Sequence, residues 1–238
     1  MNDNQTPLLS LEHLAFAYKA DAPVFTDASL SLFPGETVGL WSENGSGKTT
    51  LLRLVTGLEV KASGRILLEG RPVETPEDFR ALRRRVGFVL QNAENQLFFP
   101  EVFDDVMFGP KNLGATDEEA QAAAWKALKA LKAEDLAYSE SLDLSGGQKR
   151  LVAIASVLAM EPAVLLLDEP TTGLDALARD RLISLLNGLP EAKIVVSHDP
   201  GFLKRVCTRL VTIRAGAIEP IEADALPDGG APSELIRR

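Results

Sequence analysis

Thr37-Val38-Gly39-Leu40-Trp41-Ser42-Glu43-Asn44-Gly45-Ser46-Gly47-Lys48-Thr49-Thr50 runs from an apolar stretch through a glycine-rich loop into a helical pattern. The apolar start predicts a buried strand over Thr37–Trp41, and the residues behind the loop predict a helix over Lys48–Thr56 that Gly57 ends as its C-cap. Strand, glycine-rich turn and helix start in that order make an anion cradle, because the first N–H groups of a helix lack intrahelical partners and the helix dipole favours negative charge there. Lys48 then falls near the β and γ phosphates of a nucleotide, and Thr49 offers a hydroxyl to a magnesium ion. At ~4 Å one such charge pair is worth about 4 kcal/mol at an effective dielectric of about 20. One position departs from the pattern G-x-x-x-x-G-K-[ST], which puts glycine where this chain has Ser42. A left-handed backbone at that serine would cost roughly 1–2 kcal/mol. The expectation is still a working loop, because the glycines nearest the phosphates are intact.

Val164-Leu165-Leu166-Leu167-Asp168-Glu169 predicts a buried strand that ends in two carboxylates, at the sheet edge where α/β proteins bind ligands. Asp168 suits magnesium through water, and Glu169 is placed to polarise an attacking water as general base. Between the two segments lies Leu144-Ser145-Gly146-Gly147-Gln148, whose S-x-x-Q spacing is a capping box ahead of the apolar run Leu151–Leu158. It predicts a second anion-seeking helix start, one that faces the γ phosphate held by another subunit; a plain helix cap is the alternative.

Outside these segments, Leu9–Tyr18 and Ala28–Phe33 alternate as strands, and Pro34-Gly35 marks a turn. Strands are predicted over Arg65–Glu69, Val86–Leu90, Val164–Leu167, Lys193–Val196 and Arg209–Ile213, the last three alternating with helices as in a parallel sheet. From about residue 92 to 160 the pattern is helical and reads as an inserted subdomain. In it, Thr116-Asp117-Glu118-Glu119 forms a capping box, and Trp125, Leu128 and Leu131 are expected in the core. The expectation is an α/β domain over residues 1–222 and a short, poorly ordered tail over 223–238.

With 238 residues the chain can bury a core without disulfides, and its single cysteine, Cys207, reads as a small buried side chain in a reducing setting. A net charge of -9 and a pI near 4.9 argue against broad nucleic-acid binding, which needs a basic footprint. The one dense basic cluster, Arg80, Arg83, Arg84 and Arg85, reads as a solvated helix face. Residues Met1–Thr6 lack a secretory pattern, and the apolar runs Leu151–Met160 and Ala163–Leu167 fall short of the ~20 residues that span a bilayer.

With its motifs in this order, the chain resembles the ATP-binding subunit of ABC transporters over nearly its whole length. The resemblance implies the ABC ATPase fold: a P-loop NTPase (RecA-like) core, an antiparallel β subdomain and an inserted α-helical subdomain. It implies ATP and Mg²⁺ as cofactors, with Asn44, Gly45, Ser46, Gly47, Lys48, Thr49 and Thr50 around the phosphates. Tyr18 matches the residue that stacks on adenine, and Gln91 the one that senses Mg²⁺ and the membrane partner. Asp175, in Gly173-Leu174-Asp175, matches the loop that crosses to the other subunit, and His198 matches the switch that contacts the γ phosphate. The catalytic set is thus Lys48, Gln91, Glu169 and His198, the metal set Thr49, Gln91 and Asp168, and Ser145, Gly146, Gly147 and Gln148 act across a homodimer or a heterodimer with a related ATPase.

A narrower stretch, Asn92–Gly114 with Asn95-Gln96-Leu97-Phe98 and Phe108-Gly109-Pro110-Lys111-Asn112-Leu113-Gly114, resembles the energy-coupling factor importers of transition metals and vitamins. It implies cobalt or nickel, or a vitamin, as cargo, and a peripheral position on the cytoplasmic face of the membrane. It also implies integral membrane partners that dock near Asn95, Leu97 and Phe98. Burial of Leu97, Phe98 and Phe99 in subdomain core stays open beside that reading. So does a soluble ABC ATPase acting on a cytosolic complex, such as one assembling iron-sulfur clusters.

Overall fold

Alternating apolar residues at the start of the chain fold as two long strands, β1 (Leu9–Lys19) and β2 (Ala22–Leu32), in a computed structural model that describes residues 5–43 and 45–227. In chain order there follow β3 (Thr37–Leu40), α1 (Lys48–Thr56), β4 (Ser63–Leu68), β5 (Arg71–Pro72), α2 (Pro76–Arg85), β6 (Val86–Val89), α3 (Val102–Asn112) and α4 (Asp117–Ala130). The rest are α5 (Gly146–Leu158), β7 (Val164–Asp168), α6 (Ala176–Gly188), β8 (Ala192–Val196), α7 (Pro200–Val206), β9 (Arg209–Arg214) and β10 (Ala217–Ile221). β2 starts at Ala22 rather than Ala28, because its pairing with β1 shifts register repeatedly between Leu11 and Lys19 and so breaks the alternation there.

The sheet order is β5-β4-β1-β2-β10-β9-β3-β8-β7-β6. From β9 to β6 every neighbouring pair is parallel, whereas β1, β2, β4 and β5 form an antiparallel ribbon. The two parts meet through β10, which touches β2 at the single pairing Ala217↔Asp27. Sequence reasoning missed β10 because Pro220 interrupts its apolar pattern. All residues of β3, β7 and β8 are buried, as expected for central parallel strands covered on both faces. Val164, Leu166, Ile194 and Val196 enter the core shared with α1 and the ribbon, and Leu165, Leu167 and Val195 enter the core shared with α5, α6 and α7. Each fully buried Leu or Val contributes about 1.5–3 kcal/mol, so the strand ends that carry the candidate site sit on a stiff base.

Helices α3, α4 and α5 pack on one another, and α5 also lies against β6. Thr116 closes the predicted capping box with Glu119. Trp125, expected in the core, is instead 37% exposed, while Leu128 and Leu131 are fully buried. Residues three apart step about 60° around a helix, so the triplet walks off the buried face and leaves Trp125 at its edge against Phe103 and Tyr138, with ring centroids 4.9 and 6.0 Å away. The arginine cluster lies on α2 and makes local contacts, including Arg83 to the Thr56 carbonyl at the end of α1. The tail boundary also needs correction. Ala223–Ala225 form a 3₁₀ turn, and Leu226 is buried in the main core, because an apolar side chain here has a core to enter. Residues 228–238 of the expected tail lie outside the described residues.

Candidate nucleotide site

The loop before α1 is built around glycine. Gly47, the N-cap residue, is left-handed at φ 102°, and a Cβ there would lie 2.5 Å from Val24 Cγ1 and 3.0 Å from Phe25 Cζ. Both backbone and space therefore demand glycine. Among the described residues no side chain caps α1, so its first N–H groups stay open to an anion, and the buried Ser46 hydroxyl has no protein partner there. Lys48 folds back, donating to the carbonyls of Ser42 at 2.7 Å and Glu43 at 2.8 Å. Burial lowers its pKa, and the carboxylates of Glu169 and Asp168 act the other way. Asn44 lies outside the described residues.

Ser42 differs from its expected cost. Its backbone is outside the left-handed region, and its buried hydroxyl donates to the Ile213 carbonyl on β9 at 3.1 Å. With φ unstrained, the position gives serine a bond that glycine cannot make.

The two carboxylates stand together at the end of β7, beside the end of β8 that leads to His198. Thr49 Oγ1 donates to Asp168 Oδ2 at 2.8 Å, while Asp168 Oδ1 is buried with no partner. Burial raises the Asp168 pKa; the Thr49 bond and the Lys48 and Arg150 charges oppose that rise. A hydroxyl and a carboxylate with an unused buried oxygen are hard donors, and they fit a magnesium ion. Glu169 is one of the few non-glycine residues with positive φ, 46°, and its N–H donates to the Val196 carbonyl at 2.9 Å. That conformation costs roughly 1–2 kcal/mol, and it turns the side chain under His198. Glu169 Oε2 accepts from the His198 peptide N–H at 3.2 Å and lies 2.7 Å from His198 Nδ1. Glu169 is buried, whereas the His198 side chain is 56% exposed.

Lys48, Thr49, Asp168, Glu169 and His198 thus share one corner. Tyr18 joins its margin, with Oη 3.2 Å from Thr50 Oγ1 and its ring exposed. The described hydrogen bonds of Ser145, Gln148 and Asp175 go elsewhere. Ser145 and Gln148 cap α5 reciprocally, and Asp175 caps α6 by accepting from the Ala178 N–H at 2.8 Å. Ser145, Gly146 and Asp175 are exposed, and Gly147 sits against Leu174 and Ala178, so the two helix starts are surface neighbours.

Gln91 is exposed just after β6, and its backbone is gripped from α5. Arg150, almost wholly buried, donates to the Leu90 carbonyl at 2.7 Å and to the Gln91 carbonyl. Gln96 accepts from the Leu90 N–H at 3.0 Å and donates to the Ala153 carbonyl at 3.1 Å. Sequence reasoning missed Arg150. The available signal was a charge in helical phase with Ile154 and Val157 on the buried face of α5. Of the residues named for docking, Asn95 is exposed, whereas Leu97 is half-buried against the helical core. Phe98, 69% exposed, instead groups with Phe99 and Phe108, whose ring lies 6.1 and 5.4 Å from theirs. Beside them runs a groove of about 310 Å³ lined by Phe88, Leu90, Gln96, Phe108 and Met160.

Residues 25–172 match the family model described as ABC transporter. The chain is 43% identical over 237 residues to the cobalt import ATP-binding protein CbiO of Rhodobacter capsulatus, covering 98% of this chain and 82% of that protein. It is 42% identical over 224 residues to the nickel import ATP-binding protein NikO of the same organism, covering 90% and 88%. The solved structure of cbiO1 from Clostridium perfringens, part of the ABC transporter complex cbiONQ, superposes with a TM-score of 0.83 at 33% identity, covering 90% of this chain and 88% of that one.

Proposed function

Because the chain belongs to the ABC transporter family and is an ATP-binding ATPase of that fold, we propose that it hydrolyses ATP between two subunits to power a membrane importer of cobalt or nickel. The observation that carries the chemistry is the Glu169–His198 pair, 2.7 Å apart beside the Thr49–Asp168 bond at the open start of α1. Glu169, held against His198 at the end of β7, acts as general base on the attacking water. His198 holds that carboxylate in place and, from its exposed side, reaches the γ phosphate. Lys48 exchanges the Ser42 and Glu43 carbonyls for phosphate oxygens. Thr49 and Asp168, together with Gln91, would hold a magnesium ion, which when bound would supply charge neutralisation at the β and γ phosphates.

Completion of the site in trans rests on the exposed, anion-seeking start of α5. Ser145 to Gln148 face the γ phosphate of a second subunit, identical or related, while Asp175 lies in the loop that crosses between them and Tyr18 stacks on adenine. Dimer closure on ATP then moves the membrane subunits. They dock on Phe98, Phe99 and Phe108 beside Asn95, an apolar surface that would otherwise face water. No described helix is long and apolar enough to cross a membrane, so attachment to the cytoplasmic face runs through those partners. The likenesses to a cobalt and a nickel importer subunit are nearly equal in identity, and they support a metal ion over a vitamin as cargo. Purification of the tagged chain from membranes should recover integral membrane subunits that, in liposomes with ATP, take up radiolabelled cobalt or nickel. Recovery of soluble partners alone would overturn the transport reading.

A further inference from the structure

Asp105 lies in the first turn of α3, is 4% exposed, and has no part in the nucleotide corner. Its Oδ1 accepts from the peptide N–H groups of Phe98 at 2.7 Å and Phe99 at 3.1 Å, and its Oδ2 accepts from the Ser141 hydroxyl at 3.1 Å. The first two bonds hold the turn that exposes the aromatic side chains. The third reaches a different segment, which leads through buried Leu144 to Ser145. That segment is laced to the start of α3 as well. Ser141 N–H donates to the Pro100 carbonyl at 2.6 Å, Val102 N–H to Ser139 at 3.2 Å and Phe103 N–H to Ala137 at 2.9 Å, and Glu101 forms a bridge with Glu140.

We infer that Asp105 is a positioning residue that makes the aromatic turn and the approach to Ser145 move as one body, so that displacement of the docking surface re-aims the helix start presented to the other subunit's ATP. The inference rests on the reading of that turn as the docking surface. Its physical basis is the placement of one rigid, buried carboxylate between two segments that have no peptide continuity there. Two adjacent peptide N–H groups fix one oxygen, and the Ser141 hydroxyl fixes the other. Burial pushes its pKa up, and the three donors offset only part of that desolvation cost.

The variants separate coupling from plain support. Ser141→Ala removes only the bond toward the Ser145 segment, and Asp105→Ala removes all three. Asp105→Asn can keep them, with Oδ1 accepting both peptide N–H groups and Nδ2 donating to the Ser141 oxygen. The assay is ATP turnover of the purified chain, alone and in its membrane complex, together with affinity for the membrane subunits. Ser141→Ala should keep basal turnover and partner affinity but lose about fivefold or more of the partner-dependent stimulation, within the range of measured couplings. Asp105→Ala should lose affinity and stimulation together, and Asp105→Asn should restore both. Wild-type stimulation in Ser141→Ala, or an Asp105→Asn variant as impaired as Asp105→Ala, overturns the inference while leaving the docking reading intact. A wild-type chain that binds no membrane subunit overturns the docking reading and the inference with it. Should Asp105→Ala fail to fold, Ser141→Ala with rescue by Ser141→Thr decides the matter.

Discussion

The nucleotide corner and the aromatic turn are held in place by different means. At the corner, the register of β7 on β8 pairs Leu167 with Val195 and Asp168 with Val196, so Asp168, Glu169 and His198 hang from buried strand ends. The turn lies outside the named strands; Phe98 and Phe99 are placed by one buried carboxylate, and the neighbouring Gln91 segment by the buried Arg150 guanidinium together with Gln96. A substitution at the corner should therefore remove chemistry while sparing the scaffold. At the turn it should move scaffold while sparing the chemistry.

The largest test of that contrast is Glu169→Gln. The amide keeps the shape of the side chain and can still meet the His198 peptide N–H, but it is no base. ATP turnover should fall about 100-fold or more, with MgATP binding and thermal stability close to wild type. Turnover within tenfold of wild type would place the base elsewhere and remove the distinction at its root.

Arg150→Met should show the opposite profile. Methionine replaces the buried stem but not the fork that meets the Leu90 and Gln91 carbonyls, so unfolding stability should fall by about 1.5–3 kcal/mol for lost bonds to a charged group. Denaturant unfolding reads this directly. Arg150→Lys should recover only part, since an ammonium cannot span both carbonyls as the planar fork does. Full stability in Arg150→Met would mean that Gln96 alone holds the segment.

The same contrast decides what could be read from the chain. The corner was legible because its chemistry needs fixed residue types at fixed local spacing: glycines at Gly45 and Gly47, a lysine opening α1, two carboxylates ending β7. The central strands announced themselves as unbroken apolar runs, and α1 was read with its observed ends, Lys48–Thr56. Elsewhere the signal failed for stated physical reasons. Register shifts hid the first half of β2, a proline hid β10, and a three-residue spacing misplaced Trp125. Leu97 and Phe98 are adjacent apolar residues, one half-buried and the other exposed, and the Asp105 bonds to the peptide N–H groups of Phe98 and Phe99 that hold the turn involve a residue seven positions on, which local pattern does not reveal. Contacts between a side chain and a distant backbone carry no periodicity, and so Asp105 and Arg150 left little trace in the pattern.

Asp105→Asn tests the scaffold side by pH. Because burial raises the Asp105 pKa above its ordinary 3.8, the native state binds the proton more tightly than the unfolded chain does. Its stabilising contribution is complete below the ordinary value and is lost as pH rises through the raised one. The asparagine variant has no such titration. Its stability relative to wild type should increase with pH across that window and level off above it. Parallel stability curves for the two proteins would show that the carboxyl is not held against a desolvation cost.

The smallest effect is expected at Ser42, which lies in the corner but behaves as scaffold. A glycine there would be beneficial only if the backbone were left-handed, and it is not. Ser42→Gly instead loses the hydroxyl bond to Ile213, worth about 0.5–1.5 kcal/mol, and adds unfolded-chain entropy. Lys48 bonds to the Ser42 carbonyl, not to its side chain, so the resting position of the ammonium survives the change. Nucleotide affinity should stay within about threefold of wild type, a difference of about 0.7 kcal/mol at most, while the melting temperature drops. Calorimetric titration with ATP and a thermal scan of the same samples read the two quantities. An affinity gain of tenfold with no loss of stability would mean that the serine strains the loop, and would return this position to the chemical side of the comparison.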